Sequence, residues 1–170
     1  IDRPVVLVGM MGTGKSSIGR RLSALLHLPF VDADEAIEQA AQLSISEIFD
    51  RHGEGAFRDG ERRVIARLMD GERKVIATGG GAFINPETRA LILAKAITVW
   101  LDADIDTLVE RTTRKDTRPL LRQGDPREIL TRLRDERRPA YAEAPIHVTS
   151  GRGPQARTVA RVLKEIDAWL

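Results

Sequence analysis

The 170-residue sequence predicts a parallel α/β fold, with helices on both faces of a central sheet, and three observations carry that expectation. Strand and helix signals alternate along the chain, the pattern of a parallel sheet joined by helical crossovers. At 42% apolar residues the chain can bury a full core, and its length suits one domain, residues 1–170. The run Gly9-Met10-Met11-Gly12-Thr13-Gly14-Lys15-Ser16 fits G-x-x-x-x-G-K-[ST], the phosphate-binding P-loop.

The flanks of that loop are right for it. Val5-Val6-Leu7-Val8 is a short apolar run that reads as a buried strand. Ile18, Leu22, Leu25 and Leu26 form an apolar stripe at helical spacing over 15–27. The remaining strands are expected at 30–31, 75–78, 97–101 and 146–148. Further helices are expected at 35–41, 45–52, 55–70, 86–93, 105–113, 126–137 and 154–169. Ser44 with Glu47 fits a capping box. Asn85-Pro86 and Asp125-Pro126 each put a capping side chain before a proline at the first helical position. Residues 114–124 are charged, hold Pro119 and Gly124 and lack helical periodicity. They read as a mobile surface loop, and a long loop over a phosphate site acts as a lid, placed here at about 112–124.

A P-loop implies a nucleoside triphosphate, ATP, with Mg²⁺. Its backbone N–H groups and the helix N-terminus favour phosphate. Gly12, Thr13, Gly14, Lys15, Ser16 and Ser17 are the expected triphosphate contacts. Lys15 reaches the β- and γ-phosphates, and the Ser16 hydroxyl ligates Mg²⁺. Many P-loop ATPases hold the metal with an Asp at the end of a second core strand. Here Val75-Ile76-Ala77-Thr78 runs into Gly79-Gly80-Gly81 instead. The carboxylate must come from elsewhere, and Asp32 and Asp34 follow the strand at 30–31. If strand geometry continues, residues two apart point the same way. Asp32 is then expected in the Mg²⁺ shell through water, and Asp34 at an acceptor hydroxyl, where it can take the proton. The competing reading makes Asp34 only a cap for the helix at 35.

Composition narrows the partners. Twenty-seven basic and 25 acidic residues leave a formal charge of +2, and seven aromatics (four Phe, two Trp, one Tyr) are not interleaved with a basic tract. Nucleic acid is therefore not an expected partner, and the arginines suit small anions. With no Cys, disulfides and thiolate metal sites are excluded. No apolar run approaches a membrane span, and Ile1-Asp2-Arg3-Pro4 has no features of a signal peptide. A cytoplasmic location is expected, in a chain that lacks its initiator Met and so a few N-terminal residues. His27, His52 and His147 do not cluster and read as structural or surface residues.

Taken in order, the P-loop, Phe30-Val31-Asp32-Ala33-Asp34, Ser44-Ile45-Ser46-Glu47-Ile48-Phe49, Gly53-Glu54 with Phe57-Arg58 and Glu61, Thr78-Gly79-Gly80-Gly81, Arg118-Pro119-Leu120-Leu121 and Arg137-Arg138-Pro139-Ala140-Tyr141 resemble the shikimate kinase family over nearly the whole chain. The resemblance implies a nucleoside monophosphate kinase type of fold: a three-layer α/β/α sandwich with a five-stranded parallel sheet in order 2-3-1-4-5. It implies transfer of the ATP γ-phosphoryl group to the 3-hydroxyl of shikimate by a monomer, with the shikimate-binding region at about 33–61.

The resemblance also distributes roles. Arg58 and Arg137 match the family's carboxylate-binding arginines, and guanidinium forks bind carboxylates in two-point fashion. Glu61 orients Arg58, and Gly80 and Gly81 lie against the shikimate ring. Phe49 and Phe57 wall the ring or belong to the core. Arg118, in the lid, stabilises charge during transfer. Arg111 packs along the adenine, and the loop 150–154 with Arg152 closes its other side. Two other readings stay open: a related small-molecule kinase of the gluconate kinase kind, and a non-catalytic ATP or metabolite sensor on the same fold.

Overall fold

The computed structural model describes residues 1–113, 124–151 and 153–170. Five strands, β1 (Val5–Val8), β2 (Phe30–Asp32), β3 (Val75–Ala77), β4 (Ile97–Asp102) and β5 (Ile146–Thr149), form one sheet in order β2-β3-β1-β4-β5. Every pairing is parallel, with Asp32 opposite Ala77, Ala77 opposite Leu7, Val8 opposite Trp100 and Asp102 opposite Thr149. All five carboxyl ends therefore meet along one edge, where open α/β sheets bind ligands. The expected strand order holds.

The sheet is covered on both sides because alternate residues of each strand face opposite ways. Val5, Leu7, Val75, Val99 and Leu101 pack against Ile18 and Leu22 of α1 (Lys15–Leu26) and Val159, Val162 and Ile166 of α7 (Gln155–Trp169). Val6, Val8, Ile76 and Trp100 pack on the other face. There they meet Ile65 and Met69 of α3 (Ile45–Met69), Ile92 of α4 (Pro86–Lys95), Leu108 of α5 (Ile105–Thr113) and Leu130 and Tyr141 of α6 (Pro126–Tyr141). These β1 residues are wholly inaccessible to solvent. Burying each such side chain is worth about 1.5–3 kcal/mol, which makes the central strand a rigid base for the loop that follows it. A smaller cluster, Ile37, Ile48, Phe57 and Val64, joins α2 (Ala33–Ala41) to α3.

The caps read from the sequence are present. Ser44 Oγ accepts from the Glu47 N–H while the Glu47 carboxylate accepts from the Ser44 N–H. The Asn85 side chain accepts from the N–H groups of Glu87 and Thr88, and Asp125 from that of Arg127. The helices expected at 45–52 and 55–70 run together in α3, but Gly53 breaks the helical geometry with φ 82° and ψ 170°. A residue with a Cβ rarely adopts that φ, so the glycine sets the bend. Helix α6 continues through Pro139 to Tyr141, four residues beyond its expected end. The proline removes one backbone hydrogen bond and crowds the carbonyl of the turn before it, a cost the helix carries.

One expectation is corrected. The strand β2 ends at Asp32 and α2 begins at Ala33, so Asp34 is already helical and the two-residue alternation of a strand does not relate the pair. The cap is Asp32, not Asp34: its Oδ1 accepts from the N–H groups of Asp34 (2.9 Å) and Glu35 (3.2 Å). A carboxylate in extended geometry just before a helix captures the unpaired N–H groups of the first turn, and that ends the strand at Asp32.

Trp100 is buried between Tyr141 and His147, whereas Trp169 is 40% exposed beneath the Arg3 guanidinium. Trp169 is therefore a surface residue.

Candidate active site

The P-loop emerges from the carboxyl end of β1. Gly9 has φ 146°, and a Cβ there would lie 2.3 Å from the Leu101 carbonyl oxygen, so only glycine lets the chain leave the sheet at this point. Lys15 Nζ lies inside the loop, donating to the carbonyls of Gly9 (2.5 Å) and Met10 (2.9 Å). Gly14 precedes α1 directly, which aims the helix N-terminus into the loop. Ser16 Oγ, in the first turn, donates to Asp32 Oδ2 at 2.7 Å. One carboxylate thus has two tasks: Oδ1 caps α2 and Oδ2 meets the Ser16 hydroxyl. Among the described residues, no cluster of three or more His, Cys, Asp or Glu could hold a metal. The Ser16–Asp32 oxygen pair beside a phosphate loop suits Mg²⁺, which takes few protein ligands and keeps water and phosphate in its shell.

Next to the P-loop lies the glycine turn that follows β3. Three side chains from three different helices converge on it. A Cβ on Gly79 would lie 2.6 Å from Asp34 Oδ1, so the Asp34 carboxylate rests directly on that backbone. A Cβ on Gly81 would lie 2.4 Å from Arg58 Nη2, so the Arg58 guanidinium lies against Gly81. Arg137 Nη1 donates to the Gly80 carbonyl at 3.2 Å and lies 3.9 Å from Met10 Sδ, which ties this turn to the P-loop. The two arginines and Asp34 thus surround one turn, directly beside the loop that carries Lys15.

Arg58 is held from behind. Its Nη1 donates to Glu61 Oε1 at 2.8 Å, and its Nε lies 3.8 Å from the exposed Glu54. Glu61 is 1% exposed. Burial raises its pKa above the usual carboxylate value, and the Arg58 charge opposes that rise. Phe57 lies in the α2–α3 core cluster, 4.7 Å from Phe49, and carries the Arg58 guanidinium over its ring. That geometry favours the core reading of Phe57.

Arg111, on α5, donates to the Gly12 carbonyl (3.1 Å), Ser150 Oγ (3.3 Å) and the Gly151 carbonyl (3.2 Å). It joins the P-loop to the loop after β5. Arg118, Arg152 and nearly all of the expected lid, 112–124, lie outside the described residues. The sequence reading gave no role to Asp102, whose carboxylate ends β4 and accepts from Arg134 at 3.3 Å, or to Tyr141, which donates to the Gly80 carbonyl. Their signal was available in the spacing of Arg134, Arg137 and Tyr141, which fall on one face of α6.

The arrangement makes an expectation for Gly81→Ala. The new Cβ collides with the Arg58 guanidinium, which is tied to the buried Glu61, so pushing Arg58 aside also weakens that pair and should lower stability by about 1–3 kcal/mol. An acceptor KM raised about tenfold, with a lowered melting temperature and an Mg·ATP KM close to wild type, is the expected result in steady-state assays and thermal denaturation.

A P-loop behind the central strand, with an acidic pair and a glycine turn beside it on the same sheet edge, is the design of a P-loop phosphotransferase. A family model described as shikimate kinase matches residues 11–167. The chain is 64% identical to a shikimate kinase of Novosphingobium aromaticivorans, in an alignment covering all of this chain and 90% of that protein. Its fold superposes with a TM-score of 0.93 on a shikimate kinase from Acinetobacter baumannii in complex with shikimate, at 34% identity over 98% of this chain and 93% of that one. A gluconokinase from Sinorhizobium meliloti shares the fold at a TM-score of 0.66 and 16% identity over 98% of this chain and 93% of that one. The chain belongs to the shikimate kinase family.

Proposed function

We infer that this protein is a shikimate kinase, transferring the γ-phosphoryl group of ATP to the 3-hydroxyl of shikimate to give shikimate 3-phosphate and ADP. The observation that carries the reading is the meeting of Arg58, Arg137 and Asp34 at the glycine turn beside the P-loop. Shikimate has one carboxylate and three hydroxyls. Two guanidinium groups suit the carboxylate, and one aspartate suits a hydroxyl.

The residues divide the work as follows. Gly12, Thr13, Gly14, Ser16 and Ser17 receive the triphosphate through the loop and helix N-terminus. Lys15 turns its ammonium from the loop carbonyls toward the β- and γ-phosphates. Ser16 and Asp32 hold Mg²⁺, which when bound neutralises the phosphate oxygens. Arg111 braces the side of the nucleotide site by joining Gly12 to Ser150 and Gly151. Arg58 and Arg137 bind the carboxylate, with Gly80 and Gly81 letting the ring come close to backbone. Asp34 orients the acceptor hydroxyl. In the transfer a bond forms from the hydroxyl oxygen to the γ-phosphorus, the bond to the β,γ-bridging oxygen breaks, ADP leaves and the proton passes to the Asp34 carboxylate. The transition state is largely dissociative, so orientation by Asp34 outweighs its basicity. The reading takes residues 1–170 as one kinase unit, a cytoplasmic monomer.

The test is ADP release in a coupled assay with Mg·ATP and shikimate, with gluconate as the control acceptor. Shikimate-dependent ADP formation is expected. Turnover with gluconate alone, or none with either in a protein that binds ATP, would remove the assignment.

A further inference from the structure

Tyr141 closes α6 and is 1% exposed. Its ring is held in the core, with centroids 5.8 Å from Trp100 and 6.4 Å from Phe83. Its hydroxyl donates to the Gly80 carbonyl at 2.5 Å, and the same carbonyl accepts from Arg137 Nη1 at 3.2 Å. One acceptor in the substrate-side turn therefore has two donors. They differ in kind: the Arg137 guanidinium is on a flexible side chain, and the Tyr141 hydroxyl is on a ring that packing has immobilised.

That difference matters if Arg137 binds a carboxylate. Two-point binding commits two guanidinium nitrogens to the ligand and reorients the fork, which strains the long Nη1 bond to Gly80. A half-buried carbonyl that loses its donor is destabilised unless another donor remains. Tyr141 remains. Because the peptide unit is planar and trans, holding the Gly80 oxygen also holds the Gly81 N–H on the opposite side of the same plane. Burial pushes the phenol up to about 12, so it stays a donor through the physiological range. At the other end of the same helical stripe, Arg134 is tied to Asp102 through Nε (3.4 Å) and Nη2 (3.3 Å), which anchors that face of α6 to the end of β4.

We propose that the Tyr141 hydroxyl is a positioning group for the acceptor site, holding the Gly80 carbonyl so that the glycine turn keeps its shape while Arg137 engages the substrate carboxylate. The inference rests on the shikimate kinase reading. It adds a residue that acts through the Gly80 carbonyl and through the Arg137 guanidinium beside its hydroxyl.

Tyr141→Phe removes the hydroxyl and keeps the ring. Steady-state rates are measured for wild type and variant, varying shikimate at saturating Mg·ATP and then the reverse. The expected result is a shikimate KM raised about three- to tenfold, with the Mg·ATP KM within about twofold of wild type. In a cycle with Arg137→Lys, the two effects on shikimate KM should be non-additive, because both residues serve one carbonyl and the Tyr141 hydroxyl also meets Arg137. An unchanged shikimate KM overturns the proposal, as does an equal rise in both KM values, which would report general loosening of α6. A wild-type protein without shikimate-dependent turnover overturns the functional reading and this inference together. Wild-type turnover with an unaltered variant overturns the inference alone.

Discussion

Asp34→Asn is expected to lower kcat about 10²- to 10⁴-fold while Mg·ATP affinity stays within about threefold of wild type. The amide has nearly the shape of the carboxylate, so its packing against Gly79 is kept. What is lost is the negative charge and the ability to accept the hydroxyl proton. Nucleotide affinity should survive because the P-loop groups come from β1 and α1, whereas Asp34 stands in the first turn of α2. The nearby Asp32 cannot substitute. Its Oδ1 is committed to the α2 cap and its Oδ2 faces Ser16, so neither oxygen is directed at the glycine turn. Steady-state kinetics with calorimetric titration of the nucleotide would check the result, and a variant with wild-type turnover would take Asp34 out of the mechanism.

Arg58→Met should damage activity and stability by separable routes. Loss of one charged partner of the carboxylate is expected to lower kcat/KM for shikimate about 10²-fold or more. The same substitution strips Glu61 of its close cation. Glu61 is 1% exposed, and removing one member of a buried pair costs about 3 kcal/mol at neutral pH. The pH dependence has a definite sign. A carboxyl whose folded-state pKa is raised binds its proton more tightly in the folded state than in the unfolded one. Its contribution favours folding fully below the unfolded value near 4.5, and that contribution is lost as pH rises through the folded value. Without Arg58, the opposing charge disappears and the loss extends to higher pH. Thermal denaturation should therefore show Arg58→Met closest to wild type in mild acid and furthest from it above neutrality. Adding Glu61→Gln should restore much of the melting temperature and none of the activity. Recovery of both by the double variant would mean that Arg58 serves only the fold.

Much of the site could be read without the fold because its parts are contiguous. The P-loop and the Asp32–Asp34 pair each lie within a few residues, and spacing alone suggested their chemistry. The resemblance supplied the substrate-side roles of Gly80 and Gly81, and of Arg58 and Arg137, which no local pattern distinguishes from other helical arginines. It did not supply geometry. The two aspartates were related by strand alternation, and the helix begins between them instead, because Asp32, the last residue of β2, captures the N–H groups of Asp34 and Glu35. Tyr141 stood in a quoted motif without a task, since its acceptor lies 61 residues away at Gly80.

The amino-acid sequence by itself determined the ligand class and the layering: a phosphate loop at the end of a buried strand, and strands alternating with amphipathic helices. Both follow from short-range rules, the motif's spacing and the periods of two and 3.6 residues. Only the tertiary structure decided which side chains share an atom. Five parallel strands bring their carboxyl ends to one edge, and the crossovers between them deliver α2, α3 and α6 to the same glycine turn. Asp34, Arg58 and Arg137 meet there because helices far apart in sequence cover adjacent strand ends, and no local period encodes that distance.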